Sequence, residues 1–387
     1  MKNQGISFAL ACVLTLTAGC GKGAASPTAA AESSAPAAES VTASEMKTIT
    51  DAADRTVEIP ADVEKVIVTF NLEEYIAAAG EGWDQKLAGW SHAYWEGRRQ
   101  DAWDAYTTAF PDLVDIPDIG YNDGLNIETI ISLDPDVIIA SSAVNKDFFD
   151  AQEARLEEAG IPVVYVNYHK QTLEMHRKST EVLGQVLGQE ARAAEIADFY
   201  EEQMNVITET LKDLKDEDRP DVYMEFSRGP EEFGNTWSTK MWGALIQNCG
   251  GNNIAKDLGD GNSVDMAPEM ILAADPDVII FTASPQTDIS DNVVLGYGAD
   301  EATAMANLEA YKDREGWADI SAVKNNRMGA LYHDLSRHIF DFAGAQFLAE
   351  MIHPELFEDM DPVENLKTFY ERFMPVELDG AWMIRLQ

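Results

Sequence analysis

Arginines and aromatic residues recur together in the loops that follow short apolar runs. Late in the chain, ALYHDLSRH brings His333, Ser336, Arg337 and His338 close together. EFSRGPEEFGNTWSTKM supplies Arg228, Trp237 and Ser238, and LAGWSHAYWEGRR supplies His92, Tyr94, Trp95, Arg98 and Arg99. Asn71 follows VIVTF, Ser141, Ser142 and Asn145 follow DVIIA, and Ser284 follows IIFTA. Arginine offers a planar fork for carboxylate, catecholate or phosphate oxygens. Tyrosine and tryptophan offer flat apolar faces with one polar edge. The set suits a bulky, anionic, partly aromatic ligand. Each member also has an ordinary reading, with Trp237 in a core and Arg98 and Arg99 paired to surface acids.

Catalysis has no comparable signal. The chain contains no GxSxG, HExxH or Walker loop and no zinc-spaced Cys/His cluster. Adjacent acids at Glu73-Glu74 and Glu231-Glu232 could suggest glycosidase chemistry, but they read as solvated surface. Cys249, in IQNCGGNN, reads as a small buried apolar residue, because a nucleophile needs a base that the sequence does not advertise. No enzyme and no cofactor are expected.

The elements that must position the arginines alternate. KVIVTF (65–70), DVIIA (136–140) and PVVYVN (162–167) are short β-branched runs, with helical stretches at 72–80, 126–133 and 146–159. Strand and helix in alternation predict a parallel sheet wrapped by helices. TVEIP, ending at Pro60, reads as an edge strand. From Thr172 to Leu214 the pattern is helical throughout. Its second part is a run of roughly 25 residues, about 37 Å if straight, interrupted by Pro220. DVYMEFS (221–227), DVIIFTA (277–283) and ALYHDL (330–335) then open a second alternating region. The expected organisation is a first α/β lobe over 47–172, a helical connector over 173–217 and a second α/β lobe over 218–387.

The first twenty residues read as a processing signal: Lys2, the apolar ISFALACVLTLTAG, and Cys20 after small residues. The pattern resembles a lipoprotein signal (1–19), with lipid on the Cys20 thiol, although Thr17 stands where Leu or Val is usual. The Ala/Ser/Pro/Glu-rich stretch to residue 46 reads as a disordered tether. With Cys12 and Cys20 so used, Cys249 is left without a disulfide partner. The 387 residues carry 68 acids against 28 bases, formally −40, a surface that repels nucleic acid and anionic lipid.

One short piece occurs twice. NIETIISLDPDVIIA (126–140) and APEMILAADPDVIIF (267–281) align with one offset of 141 residues, pairing Glu128 with Glu269 and Asp134-Pro135-Asp136-Val137 with Asp275-Pro276-Asp277-Val278. Related lobes, with a ligand cleft between them, are the expectation. With TVEIPADVEKVIVTFNLEEYIAAAG, IGYNDGLNIETIISLDPDVIIASS, VLGQVLGQEARAAEIADFY and GWADISAVKNNRMGALYHDL in this order, the chain from about 48 to 375 resembles the substrate-binding lipoproteins of ABC importers in the iron-siderophore, haem and cobalamin class. The resemblance implies two lobes joined by one long rigid helix, ligand held between them and little hinge closure. It also implies that Glu128 and Glu269 each dock on one subunit of a permease dimer served by an ATPase. The bare physical reading is that each glutamate favours its helix N-terminus. The expected ligand set is Asn71, His92, Tyr94, Trp95, Arg98, Asn145, Arg228, Trp237, Ser336 and Arg337, suited to a ferric siderophore. Haem would use His92, Tyr94, His333 or His338 as axial ligands; cobalamin, a metal or an oxyanion are further alternatives. The remaining rival of another class is a binding lipoprotein serving a sensor. The expected protein is monomeric, extracytoplasmic and held to the membrane by its lipid.

Overall fold

The structure, a computed structural model, describes residues 45–386 apart from 260, 262, 286–288 and 290. The signal segment, Cys20 and the tether to residue 44 lie outside the described residues. A two-stranded ribbon of β1 (Met46–Thr50) and β2 (Thr56–Pro60) opens the fold. The first lobe is built on β3 (Val66–Val68), β4 (Leu87–Trp90), β5 (Val137–Ser141) and β6 (Val163–Val166), all parallel, in the order β4-β3-β5-β6. Around them lie α1 (Leu72–Ala79), α2 (His92–Arg98), α3 (Gln100–Ala109), α4 (Ile127–Ser132) and α5 (Lys146–Ala159). Strands β3 and β5 are buried along their whole length, which is why they read as unbroken apolar runs rather than alternating ones.

Two helices, α6 (Leu173–Leu187) and α7 (Glu190–Leu211), connect the lobes. Thr172 caps α6 by accepting from Met175 N. The 22 residues of α7 span about 33 Å; the helix stops at Leu211, nine residues before Pro220. Gly184 lets α6 lie against α7 so closely that an added Cβ would stand 2.5 Å from the Ala193 Cβ.

The second lobe holds β7 (Asp221–Phe226), a small antiparallel pair of β8 (Asn235–Thr236) and β10 (Val264–Asp265), β9 (Asn252–Asn253), β11 (Val278–Ala283), β12 (Met328–Tyr332) and β13 (Met383–Arg385). Its sheet order is β13-β12-β11-β7-β9, parallel except for β13. The helices used below are α8 (Trp242–Asn248), α9 (Pro268–Ala274), α10 (Asp341–Ile352) and α11 (Pro362–Phe373). The α10 helix ends at Ile352, two residues ahead of Pro354, as the restriction on residues before proline favours.

The two sheets share one plan. In chain order the four parallel strands of each lobe lie 2-1-3-4: β4-β3-β5-β6 and β9-β7-β11-β12. The duplicated segment occupies the same place in both. Asp134 (φ 49°) and Asp275 (φ 46°) take the left-handed conformation that ends α4 and α9, one that aspartate tolerates better than most residues. The second aspartate then ties the incoming strand to the start of its neighbour. Asp136 N donates to Lys65 O at 2.9 Å and its Oδ2 accepts from Lys65 N at 2.8 Å; Asp277 N donates to Asp221 O at 2.8 Å and its Oδ2 accepts from Asp221 N at 2.9 Å. Asp-Pro-Asp is thus a strand-start clamp used once per lobe.

Candidate functional site

The carboxyl ends of both sheets face one cleft, as is usual for ligand sites of open parallel sheets. Phe70 follows β3, Ala143 and Val144 follow β5, and His169 follows β6; across from them Phe226 ends β7, Arg228 follows it, and His333 and Arg337 follow β12. With Arg98, Tyr121, Trp237 and Met241 these residues line a cavity of about 510 Å³. A second cavity of about 220 Å³ shares Arg98, Tyr121, Phe226, His333 and Arg337 and adds Tyr94, Ser284, Tyr332 and Asp334.

The walls are aromatic. Tyr121 stacks on Tyr94 at 4.7 Å, Phe70 packs on Tyr94 at 5.0 Å and on His169 at 5.2 Å, and His333 lies between Phe226 at 4.8 Å and Trp237 at 5.7 Å. Burial, followed by the nearby Arg337 charge, pushes His169 and His333 each down to about 3, so both imidazoles are neutral at physiological pH. His333 Nδ1 shares a hydrogen bond with Thr282 Oγ1 at 3.0 Å. The positive charge comes from arginines. Arg98 is exposed and makes no ion pair among the described residues. Arg228 lies over the Phe226 ring at 5.5 Å and reaches Glu232 only at 3.9 Å. Arg337 bonds Asp334, donates to Tyr94 Oη at 3.4 Å and lies over the Phe70 ring at 5.7 Å; its Nε is buried without a partner.

Beneath the cleft, charged side chains tie the lobes together. Arg99 donates to Glu73 Oε2 at 2.6 Å and stands 2.9 Å from Asp334 Oδ2. Glu74 accepts from His338 Nδ1 at 2.8 Å, from Ile339 N at 3.0 Å and from Asn71 Nδ2 at 3.2 Å. Burial pushes the Asp334 and Glu74 carboxyls up, but their partners win. Arg337 and Arg99 hold Asp334, and His338 holds Glu74, below the usual carboxylate range.

Several sequence expectations change here. Glu73 and Glu74 are not a solvated pair: they are 0% and 1% exposed, because α1 turns both inward, Glu73 to Arg99 of its own lobe and Glu74 to His338 of the second. Arg99 pairs with buried acids rather than surface ones. The segment from Tyr94 to Asp115 is largely helical in α2, α3 and a following 3-10 turn, since its aromatics recur at helical spacing and pack inward.

Of the ten ligand residues expected from sequence, the cavities gather Tyr94, Arg98, Arg228, Trp237 and Arg337, with His333 and Ser284 from the wider set. Five stand apart. Trp95 is buried between Trp90, Tyr106 and Arg99. His92 packs on Trp90 at 4.5 Å and Trp103 at 5.2 Å. Asn71 serves Glu74, and Asn145 accepts from Thr69 Oγ1 at 2.7 Å. Ser336 is fully buried, with its hydroxyl toward His333 O. Ser238 bonds Lys256 O, Ser141 is buried, and His338 belongs to the Glu74 network. The sequence reading missed Phe70, Tyr121, His169, Phe226 and Met241. His169 was within reach of its own rule, since it stands just past a strand. Cys249 is buried, its thiol donating to Ala345 O at 3.1 Å.

Glu128 and Glu269 sit in the first turns of α4 and α9, both exposed. Arg155 pairs with Glu128 at 2.5 Å. Beside Glu269, Met270 and Leu272 expose apolar surface.

Two α/β lobes around an aromatic, arginine-bearing cleft define a solute-binding protein. The family model described as periplasmic binding protein matches residues 67–333, and the chain belongs to that family, as a substrate-binding protein of an ABC importer. It is 34% identical to the crystal structure of a TroA-like periplasmic binding protein, FepB, from Veillonella parvula, with a TM-score of 0.83 covering 88% of this chain and 99% of that one. It is 27% identical over 237 residues to an uncharacterized ABC transporter substrate-binding lipoprotein, YvrC, of Bacillus subtilis, covering 61% of this chain and 67% of that protein. A cobalamin-binding protein of Halobacterium salinarum is 30% identical over 156 residues, 40% of each chain. The fold is also that of the Haemophilus influenzae molybdate-binding protein MolA, at 18% identity and a TM-score of 0.63, covering 86% of this chain and 99% of that one.

Proposed function

We propose that the chain is the extracytoplasmic, lipid-anchored receptor that captures a ferric-siderophore-type chelate and delivers it to an ABC permease. The observation that carries this reading is the cleft itself: three guanidiniums, Arg98, Arg228 and Arg337, set among the flat faces of Phe70, Tyr121, Phe226 and Trp237. The cavity falls within the size range of small-molecule sites. Arginine forks match catecholate or carboxylate oxygens, and the rings match the chelate's apolar faces. A bare oxyanion would leave most of this aromatic surface without a contact, and cobalamin, with a single phosphodiester charge, would leave most of the arginine charge unmatched. Haem is the second reading, favoured by the neutral imidazoles His169 and His333, one from each lobe.

Delivery would use Glu128 and Glu269, two exposed carboxylates equivalent in the repeat, each offering a charge-assisted pair to one permease subunit. Cys20 would carry the anchor, and the ligand residues are those expected from sequence that the cavities gather.

The test is tryptophan-fluorescence titration of the full chain with ferric catecholate, hydroxamate and carboxylate siderophores, haem, cobalamin and molybdate. Saturable sub-micromolar quenching by a ferric siderophore, weakened at least tenfold in Trp237→Ala, is the expected result. Saturation by haem with a Soret shift, and none by siderophores, would replace the reading with the second one.

A further inference from the structure

Asp334 is an acid in a cleft read as a site for anions, and its two oxygens have different owners. Oδ1 takes Arg337, whose guanidinium lines both cavities. Oδ2 lies 2.9 Å from Arg99 Nε and 3.5 Å from Tyr94 Oη. Arg99 is itself fixed from the far side by Glu73 and is 1% exposed. The two arginines differ accordingly. Arg99 has no access to the cleft, whereas the Arg337 side chain is 17% exposed; both keep buried guanidinium nitrogens without a hydrogen-bond partner, Nε and Nη2 in Arg99 and Nε in Arg337.

We propose that Asp334 is an internal stand-in for the ligand's anionic oxygen and so sets the cleft's charge selectivity. This rests on the functional reading above. With the cleft empty, Asp334 neutralises Arg337 and spares it from standing unpaired. An incoming anionic oxygen exchanges for Asp334 on Arg337, and Asp334 keeps Arg99, so the exchange leaves no buried carboxylate without a cation. That second partner makes the exchange feasible, because an orphaned buried charge is heavily penalised. A neutral ligand has nothing to offer Arg337 and leaves the Asp334 pair intact. Asp334 therefore acts as a threshold: ligands carrying concentrated negative charge pass it and neutral ones gain nothing from the arginine.

Two gallium(III) chelates of similar size, a trianionic tris-catecholate and a neutral tris-hydroxamate, test this on the full chain. Asp334→Asn should tighten the tris-catecholate at least tenfold and leave the tris-hydroxamate within twofold. The gain should vanish in Asp334→Asn/Arg337→Gln, which separates exchange on Arg337 from a general loss of negative charge. Should Asp334→Asn not fold, ¹⁵N side-chain spectra of the unaltered chain carry the test: the Arg337 Nε resonance should shift with the catecholate and not with the hydroxamate, while that of Arg99 stays in place. Tight catecholate binding with no gain in Asp334→Asn, a gain that survives in the double variant, or an unmoved Arg337 resonance overturns the inference alone. Binding of neither chelate overturns the functional reading and this inference with it.

Discussion

Replacing Arg314 with Met should both destabilise the second lobe and loosen one wall of the cleft. Arg314 and Glu225 pair at 2.8 Å with each side chain 1% exposed. The guanidinium also donates to Pro230 O at 2.8 Å, to Gly229 O at 3.2 Å and to Glu232 O, and the Glu225 carboxylate accepts from Gly234 N at 3.2 Å. One buried ion pair thus staples the loop from 229 to 234, which begins beside Arg228 and leads to Trp237. The side chain also lies over the Phe233 ring at 4.3 Å and the Trp317 ring at 4.6 Å. Methionine keeps much of that packing but leaves Glu225 charged and buried, a loss of about 4 kcal/mol. Glu225→Gln alone keeps the carbonyl contacts of Arg314 and should cost about 2 kcal/mol. The double variant removes the orphaned charge, so it should cost about 3 kcal/mol rather than the roughly 6 kcal/mol of additivity. Urea denaturation followed by far-UV circular dichroism reads all three, and limited proteolysis should cut Arg314→Met within 229–234 before global unfolding. A single variant within 1 kcal/mol of the parent, or a double variant at the additive sum, would refute the staple.

Other expectations rest on separate features. Asp101 accepts from Tyr297 N at 3.1 Å and Tyr332 Oη at 3.2 Å, and burial pushes its carboxyl up to about 6. A raised folded-state pKa means that its contribution is complete below the unfolded value near 4 and is lost as pH rises through 6. Asp101→Asn should therefore gain up to about 3 kcal/mol, relative to the parent, between pH 4 and pH 7 in denaturation midpoints; parallel pH profiles would contradict this. Gly184→Ala adds a methyl 2.5 Å from Ala193 Cβ and should lower stability by about 1–2 kcal/mol despite its better helix propensity, measured by thermal unfolding. Glu128→Ala/Glu269→Ala should leave ligand titration unchanged and abolish uptake in cells bearing the cognate permease; unimpaired uptake would rule out docking through these carboxylates.

The duplicated Asp-Pro-Asp segment and the unbroken runs of β3, β5, β7 and β11 made two α/β lobes legible in the sequence, because burial on both faces writes itself as β-branched residues in a row. The rule that ligands meet loops after strands found Arg228, Trp237 and Arg337 for the cleft wall. It failed for His92 and Trp95, which belong to a helix whose apolar side faces the core. Asn145 and Ser336 failed for another reason: they stand at strand ends but spend their polar atoms on neighbouring groups. The buried acids were the hardest to read. A pair such as Glu73-Glu74 looks like any wet surface until residues 26 and 264 positions further on arrive to meet it.

Those long-range pairs have a mechanical consequence. Opening the lobes like a hinged jaw would strip Arg99 from Asp334, a 2.9 Å contact, and Glu74 from His338, a 2.8 Å one. Each separation exposes a buried partner to a cost of several kcal/mol, so thermal motion will rarely perform it. The protein is a latch that stays shut by default. Under the docking proposed above, parting the two halves takes work that the permease and its ATPase would have to supply.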